Sequence, residues 1–180
     1  APNSVEQQRH SGYRSTVHAI AELVDNSIDA GAKNITILLV EENVRVNNQL
    51  RDRLTNICVI DDGKGMKPEL LNKCLTFADG QGTSNGRIGK FGYGLPNSTV
   101  AVCRRGEVSS KTKSTPWHKV YIDIDEIVNS GEAKYSPCTH MPNPPKLHAS
   151  VTLPSTGTIV TWSRLCLLYT SDAADDTSGV

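Results

Sequence analysis

Cysteine is scarce in this 180-residue chain, and Cys58, Cys74, Cys103, Cys138 and Cys166 show no short paired spacing. That argues against a zinc module or a disulfide framework, and a reducing cytoplasm is the expected home. No apolar run reaches the roughly 20 residues that a membrane-spanning helix needs, and no basic-then-apolar secretory segment opens the chain. Internal repeats and low-complexity blocks are lacking. Charge of one sign is lacking too: 19 Lys and Arg stand against 19 Asp and Glu, so nothing demands nucleic acid as a direct ligand. The chain starts with Ala1 rather than Met, which suggests that it begins inside a longer gene.

What is present fits one soluble globular domain, with 37% hydrophobic and 21% charged residues and enough length for a single core. The end, 166-CLLYTSDAADDTSGV-180, has no pattern continuous with the segment before it. Its back-translation resembles a transposon-based sequencing adapter read through in frame, so residues 166–180 are set apart as a non-native tail. Without Asp172, Asp175 and Asp176 the acidic count falls from 19 to 16 against 19 basic residues, leaving a mild +3.

Residues 1–13 are polar and read as an arm, ahead of a helix over about 14–30 that Gly31 stops. No Lys or Arg occurs from 15 to 32. At 3.6 residues per turn Val17, Ile20, Ala21, Val24 and Ile28 share one side, while His18, Glu22, Asp25, Asn26 and Asp29 share another. A solvated face would usually mix in Lys, so this stripe reads as aimed at a ligand. Strands are expected at 34–41, 56–61, 105–111, 117–125, 148–153 and 157–163, with a polar hairpin excursion at 42–56. Short helices are expected at 68–77, opened by Pro68, and at 95–103. The piece 137–146 is Pro-rich and reads as a loop. The implied fold is a two-layer α/β sandwich, a mixed and mostly antiparallel sheet with helices on one face.

Three further stretches carry chemistry. In 59-VIDDGKGM-66 a hydrophobic strand runs into two carboxylates and a Gly-x-Gly turn, which either holds a carboxylate over a cavity or is simply a tight turn. Six glycines, Gly80, Gly82, Gly86, Gly89, Gly92 and Gly94, fall between Ala78 and Gly94. The last three precede a helix, an arrangement that leaves backbone N–H groups at a positive helix end and suits polyphosphate. In 156-TGTIVTWS-163 a Gly-Thr pair opens a strand.

Together and in this order, ELVDN at 22–26, DDGKG at 61–65, GKFGYG at 89–94 and GT at 157–158 resemble the GHKL ATPases. That superfamily includes the gyrase ATPase subunit, heat-shock chaperones, histidine kinases, mismatch-repair clamps and Microrchidia proteins. The resemblance covers about Ser15 to Leu165, so an ATP-binding domain is expected over 1–165 with a lid at about 78–90. It is strongest toward a bacterial-type Microrchidia- or chaperone-like module. By match, Glu22 would be the general base for the attacking water, His18 would orient it, and Asn26 would ligate Mg²⁺. Asp25 and Asp29 would be structural.

The resemblance further implies that Asp61 accepts from the adenine amino group, with Thr158 in the same network and Gly63 and Gly65 giving the base clearance. Met66 would pack on the base or fill the core. Gly89, Phe91, Gly92, Tyr93 and Gly94 would cradle the phosphates. Lys90 and Arg87 would either reach the phosphates or stay solvated on the lid. The implied activity is Mg-dependent ATP hydrolysis that drives lid closure and a homodimeric clamp in a larger protein, with DNA an indirect partner at most and no membrane. A lysine from a downstream domain would complete the site, so this piece alone would turn over slowly or not at all. A non-hydrolysing ATP switch, a histidine-kinase catalytic domain and a plain interaction domain are the alternatives. Glu22 favours hydrolysis over the kinase, which typically has Asn there.

Overall fold

Ser15 starts the first helix, α1 (Thr16–Asp29), by accepting a hydrogen bond from the His18 backbone on its side-chain oxygen at 3.4 Å. Gly31, at φ +76°, ends it with nothing around its missing Cβ, so backbone conformation alone asks for glycine there. The computed structural model describes residues 15–46, 48–76, 94–131 and 136–166. The expected arm, the lid over 78–90 and residues 167–180 of the tail lie outside them.

After α1 come β1 (Ile35–Val46) and β2 (Gln49–Asp61), the one-turn helix α2 (Pro68–Leu71), α3 (Gly94–Val102) and β3 (Cys103–Lys111). Then follow β4 (His118–Asp123), α4 (Ile124–Ser130), β5 (Thr139–His140) and β6 (Gly157–Leu165). The strands form one sheet in the order β1-β2-β6-β3-β4-β5, and every ladder is antiparallel. The polar excursion is the distal half of the β1–β2 hairpin, whose register closes Val46 on Gln49. Asn48 takes φ +61° in that turn, a conformation Asn tolerates.

One face of the sheet, with Ile57, Val59, Val108, Val160 and Trp162, packs against Ala19 and Leu23 of α1 and Val100 of α3. The Trp162 indole N–H donates to Thr99 Oγ1 at 3.0 Å, tying α3 to β6. This is the expected α/β sandwich. The opposite face is covered as well: Cys58, Ile60 and Ile159 lie under Met141, Leu147, Val151 and Leu153.

That cover replaces the strand expected at 148–153. His148 Nδ1 meets Ser150 Oγ at 2.8 Å and the Val151 N–H donates to the His148 carbonyl at 2.9 Å, so the chain turns and lays its apolar side chains on the sheet. The strand expected to run to 125 stops at Asp123, whose Oδ1 accepts from the backbone of Asp125 and Glu126 and starts α4. The 68–77 helix shortens to one turn because Lys73, Cys74 and Thr76 bond three residues back rather than four.

The rotation of α1 also departs from the apolar side read in the sequence. Its buried residues are Ala19, Leu23 and Ser27, about a third of a turn from the Val17–Val24–Ile28 side. Small residues let the helix sit close to the sheet. The polar stripe is thereby graded, with Glu22 and Asn26 half-buried and His18, Asp25 and Asp29 exposed. At the far end of β6, Arg104, Arg105 and Arg164 pair with Asp123 and Asp125, a compensated cluster that staples the sheet to α4. Among the described residues no helix is long and apolar enough to cross a membrane.

Candidate functional site

Asp61 ends β2 on the helix-covered face and is 6% exposed. Its Oδ1 accepts from the backbone N–H groups of Gly63 at 2.9 Å and Thr158 at 3.2 Å, and its Oδ2 accepts from Ser27 Oγ at 3.2 Å. Burial pushes the carboxyl pKa up, although those donors and the neighbouring Asp62 pull in opposite directions. The result is a buried acceptor pinned from three elements: α1, the turn after β2, and β6.

Thr158 faces Asp61 across the β2–β6 ladder. Its hydroxyl meets Ser110 Oγ of β3 at 3.0 Å, and Ser110 also donates to the Gly157 carbonyl at 2.9 Å and accepts from the Met66 N–H at 2.8 Å. Ser110 is fully buried. Neither Ser27 nor Ser110 was singled out in the sequence. Ser27 lies one residue past Asn26 on the buried side of α1, but the contact of Ser110 depends on a register 48 residues away. Replacing Ser110 with Ala leaves the Met66 N–H without its partner, and a loss of about 1–2 kcal/mol is expected in denaturant unfolding.

The glycines answer to the protein's own backbone. A Cβ on Gly65, at φ +69°, would run into the Lys111 carbonyl, and one on Gly157, at φ +139°, into the Asp61 carbonyl. At Gly63 a Cβ would crowd Ala30 and Asp61 Oδ1 at 3.0 Å. The 62–66 turn is therefore held tightly between α1, β3 and β6. Asp62 fixes it from outside, accepting from the backbone N–H groups of Lys33 at 2.7 Å and Asn34 at 2.9 Å and from Asn34 Nδ2 at 2.8 Å. These bonds hold its carboxyl below the usual range. Met66 packs against the main core. Outside the turn, an open cleft of about 600 Å³ lies between Lys64–Leu70 and Thr112–Ser114, away from Asp61.

Glu22, one helical turn before Asn26, reaches the start of α3. A Cβ on Gly94 would collide with the Glu22 carboxyl, so the carboxyl occupies the space that a side chain there would fill. A carboxylate at this end of α3 is favoured by the helix dipole. His18 Nδ1 lies 2.7 Å from Ser15 Oγ, so the His18 ring is engaged with the helix cap. Among the described residues no three His, Cys, Asp or Glu gather as a metal group. A hard cation here would draw on the half-buried Asn26 amide and on the oxygens of whatever ligand it accompanies.

Of the residues singled out in the sequence, the structure thus joins Asp61, Gly63 and Thr158 directly, adds Met66 and Gly65 through the same turn, and sets Glu22 against Gly94. Ser27 links the two groups, since it lies on the same helix as Glu22. Gly89, Lys90, Phe91, Gly92 and Tyr93 lie outside the described residues.

Residues 13–158 match the profile of the "Histidine kinase-, DNA gyrase B-, and HSP90-like ATPase" family. Among curated proteins the chain is similar to Microrchidia 6 of Arabidopsis thaliana, 33% identical over 82 residues, covering 46% of this chain and 12% of that protein. Microrchidia 1 of the same plant is 30% identical over 94 residues, covering 52% and 14%. The human MORC family CW-type zinc finger protein 1 is 31% identical over 112 residues, covering 56% and 10%. The match thus spans only about a tenth to a seventh of the length of these relatives.

Proposed function

The chain belongs to the histidine kinase-, DNA gyrase B-, and HSP90-like ATPase family, and from that premise we propose that it binds ATP with Mg²⁺ and hydrolyses it. One juxtaposition carries the reading. The Glu22 carboxyl rests on Gly94 at the opening of α3, while Ser27, on the same helix as Glu22, holds Asp61. A base for water and an acceptor for a purine amino group are thereby fixed to one rigid helix, beside a helix end suited to phosphate.

In this reading Asp61 Oδ2 accepts from the adenine amino group. Guanine has an acceptor at that place, so two acceptors would be opposed and adenine is selected. Asn26 would hold Mg²⁺ through its amide oxygen, and the ion, when bound, neutralises phosphate charge. Glu22 takes a proton from the water that attacks the terminal phosphorus. The bond to the bridging oxygen breaks, and ADP and inorganic phosphate leave. Lid ordering over 78–90, pairing of two such domains and indirect action on DNA are proposed for the larger protein.

Isothermal calorimetry of ATP on the whole chain tests the reading. Saturable heat that requires Mg²⁺ supports it; a folded chain that gives no heat with Mg-ATP ends it.

A further inference from the structure

Six large hydrophobic side chains are exposed among the described residues, and four of them share one flank: Val17 (73% exposed), Ile28 (59%), Ile37 (47%) and Leu39 (56%). Ile37 pairs with Val59 and Leu39 with Ile57, and both of those partners belong to the core under α1. Ile37 and Leu39 therefore point to the helix side of the sheet. The Glu22 side of α1 faces α3, and Val17 and Ile28, about 130° round the helix from Glu22, face away from α3 on the β1 side of the sheet. In the sheet order β1 is terminal and has no strand on its outer side among the described residues. Its apolar half, ITILLV, lacks the Lys or Pro with which proteins commonly blunt a free edge.

We infer that this flank is a two-fold interface in which β1 pairs antiparallel with β1 of a second copy of this chain, about an axis at Ile37. The inference does not rest on nucleotide binding. Side chains alternate with period two, so residues opposed across the pair must point to the same face. An axis at Ile37 satisfies this and sets Ile35 opposite Leu39 of the second copy. It also brings Lys33, in the bend just before β1, toward Glu41 of the second copy, twice by symmetry. Moving the axis to Leu38 would set Ile35 against Glu41, and moving it to Thr36 would bring Lys33 toward Leu39. The register irregularity near Val40 assigns the extra residue, Thr55, to β2, so β1 runs regularly through Glu41. The surface is thus complementary to itself in both hydrophobicity and charge. Val17 and Ile28 of each copy would close over the joined strands.

Sedimentation velocity of the whole chain without nucleotide, over about 1–100 µM, tests the interface. A reversible dimer is expected, weakened about tenfold by Glu41→Lys, which opposes two like-charged pairs, and restored by adding Lys33→Glu. Ile37→Lys, at an exposed position that leaves the core intact, should give a monomer. A wild-type chain that stays monomeric throughout overturns the inference. So does a dimer unmoved by Ile37→Lys, or one indifferent to the charge exchange, because association would then use another surface.

Discussion

Asp61→Asn should lower ATP affinity about 100-fold in calorimetry while the empty protein stays folded. The two halves of that expectation have separate causes. In the empty protein Oδ1 accepts from Gly63 and Thr158, and the carbonyl oxygen of a new amide can do the same. Ser27 Oγ lies 2.9 Å from the Leu23 carbonyl as well as beside Oδ2, so it can donate to Leu23 and accept from the amide nitrogen. The substitution also removes a charge that burial disfavours. Toward adenine, however, the amide nitrogen presents a donor where the base also has a donor. An opposed buried pair of that kind costs on the order of 1–3 kcal/mol, or about one to two powers of ten, and loss of the charged acceptor brings the effect to the upper end. The raised pKa of Asp61 fixes the sign of the pH dependence. The carboxylate is the species that accepts, so ATP affinity should weaken as pH falls toward that pKa. The empty fold gains relative stability over the same range, because the protonated form is the one burial favours. Affinity in the mutant that equals wild type at neutral pH would remove Asp61 from the adenine site.

Much of this arrangement was legible in the sequence because its local signals agree with one another. Gly31 after an apolar-periodic run closes α1, and the Val-Ile-Asp-Asp-Gly run set a carboxylate at a strand end. What stayed hidden depends on partners far along the chain. Periodicity groups Val17, Val24 and Ile28 on one side of α1 but does not say which side packs; the close seat offered by Ala19 and Ser27 decided that. Ser110 looks like any strand serine until the β3–β6 register brings it to Thr158. The Gly63–Gly65 pair suggests clearance for a ligand, whereas Lys111, Ala30 and Asp61 crowd those positions. One miss was avoidable. Asp123 with Glu126 three residues on, followed by Gly131 at φ +70°, is a helix start and stop that reads plainly beside the strand preference of 117–123.

Glu22→Gln should leave Mg-ATP affinity within about threefold of wild type and reduce turnover about 1000-fold. Gln matches Glu in size, so the space over Gly94 stays filled and the packing of α1 on α3 is kept. The change withdraws only the capacity to take a proton from water. An interaction used after binding but before the phosphorus–oxygen bond breaks alters the rate and spares affinity. Asp61→Asn should do the opposite, losing affinity while the bound fraction still reacts. The pair separates the two ends of one helix-anchored site. Single-turnover phosphate release with protein in excess over ATP reads the chemical step even where multiple turnover is slow. Equal loss of affinity and rate on Glu22→Gln would show that the carboxyl serves binding, and the base would then have to be sought elsewhere. Unchanged release would leave hydrolysis in place and remove Glu22 from the chemistry, whereas a wild type that binds Mg-ATP but releases no phosphate would turn the reading toward a switch that binds ATP without hydrolysing it.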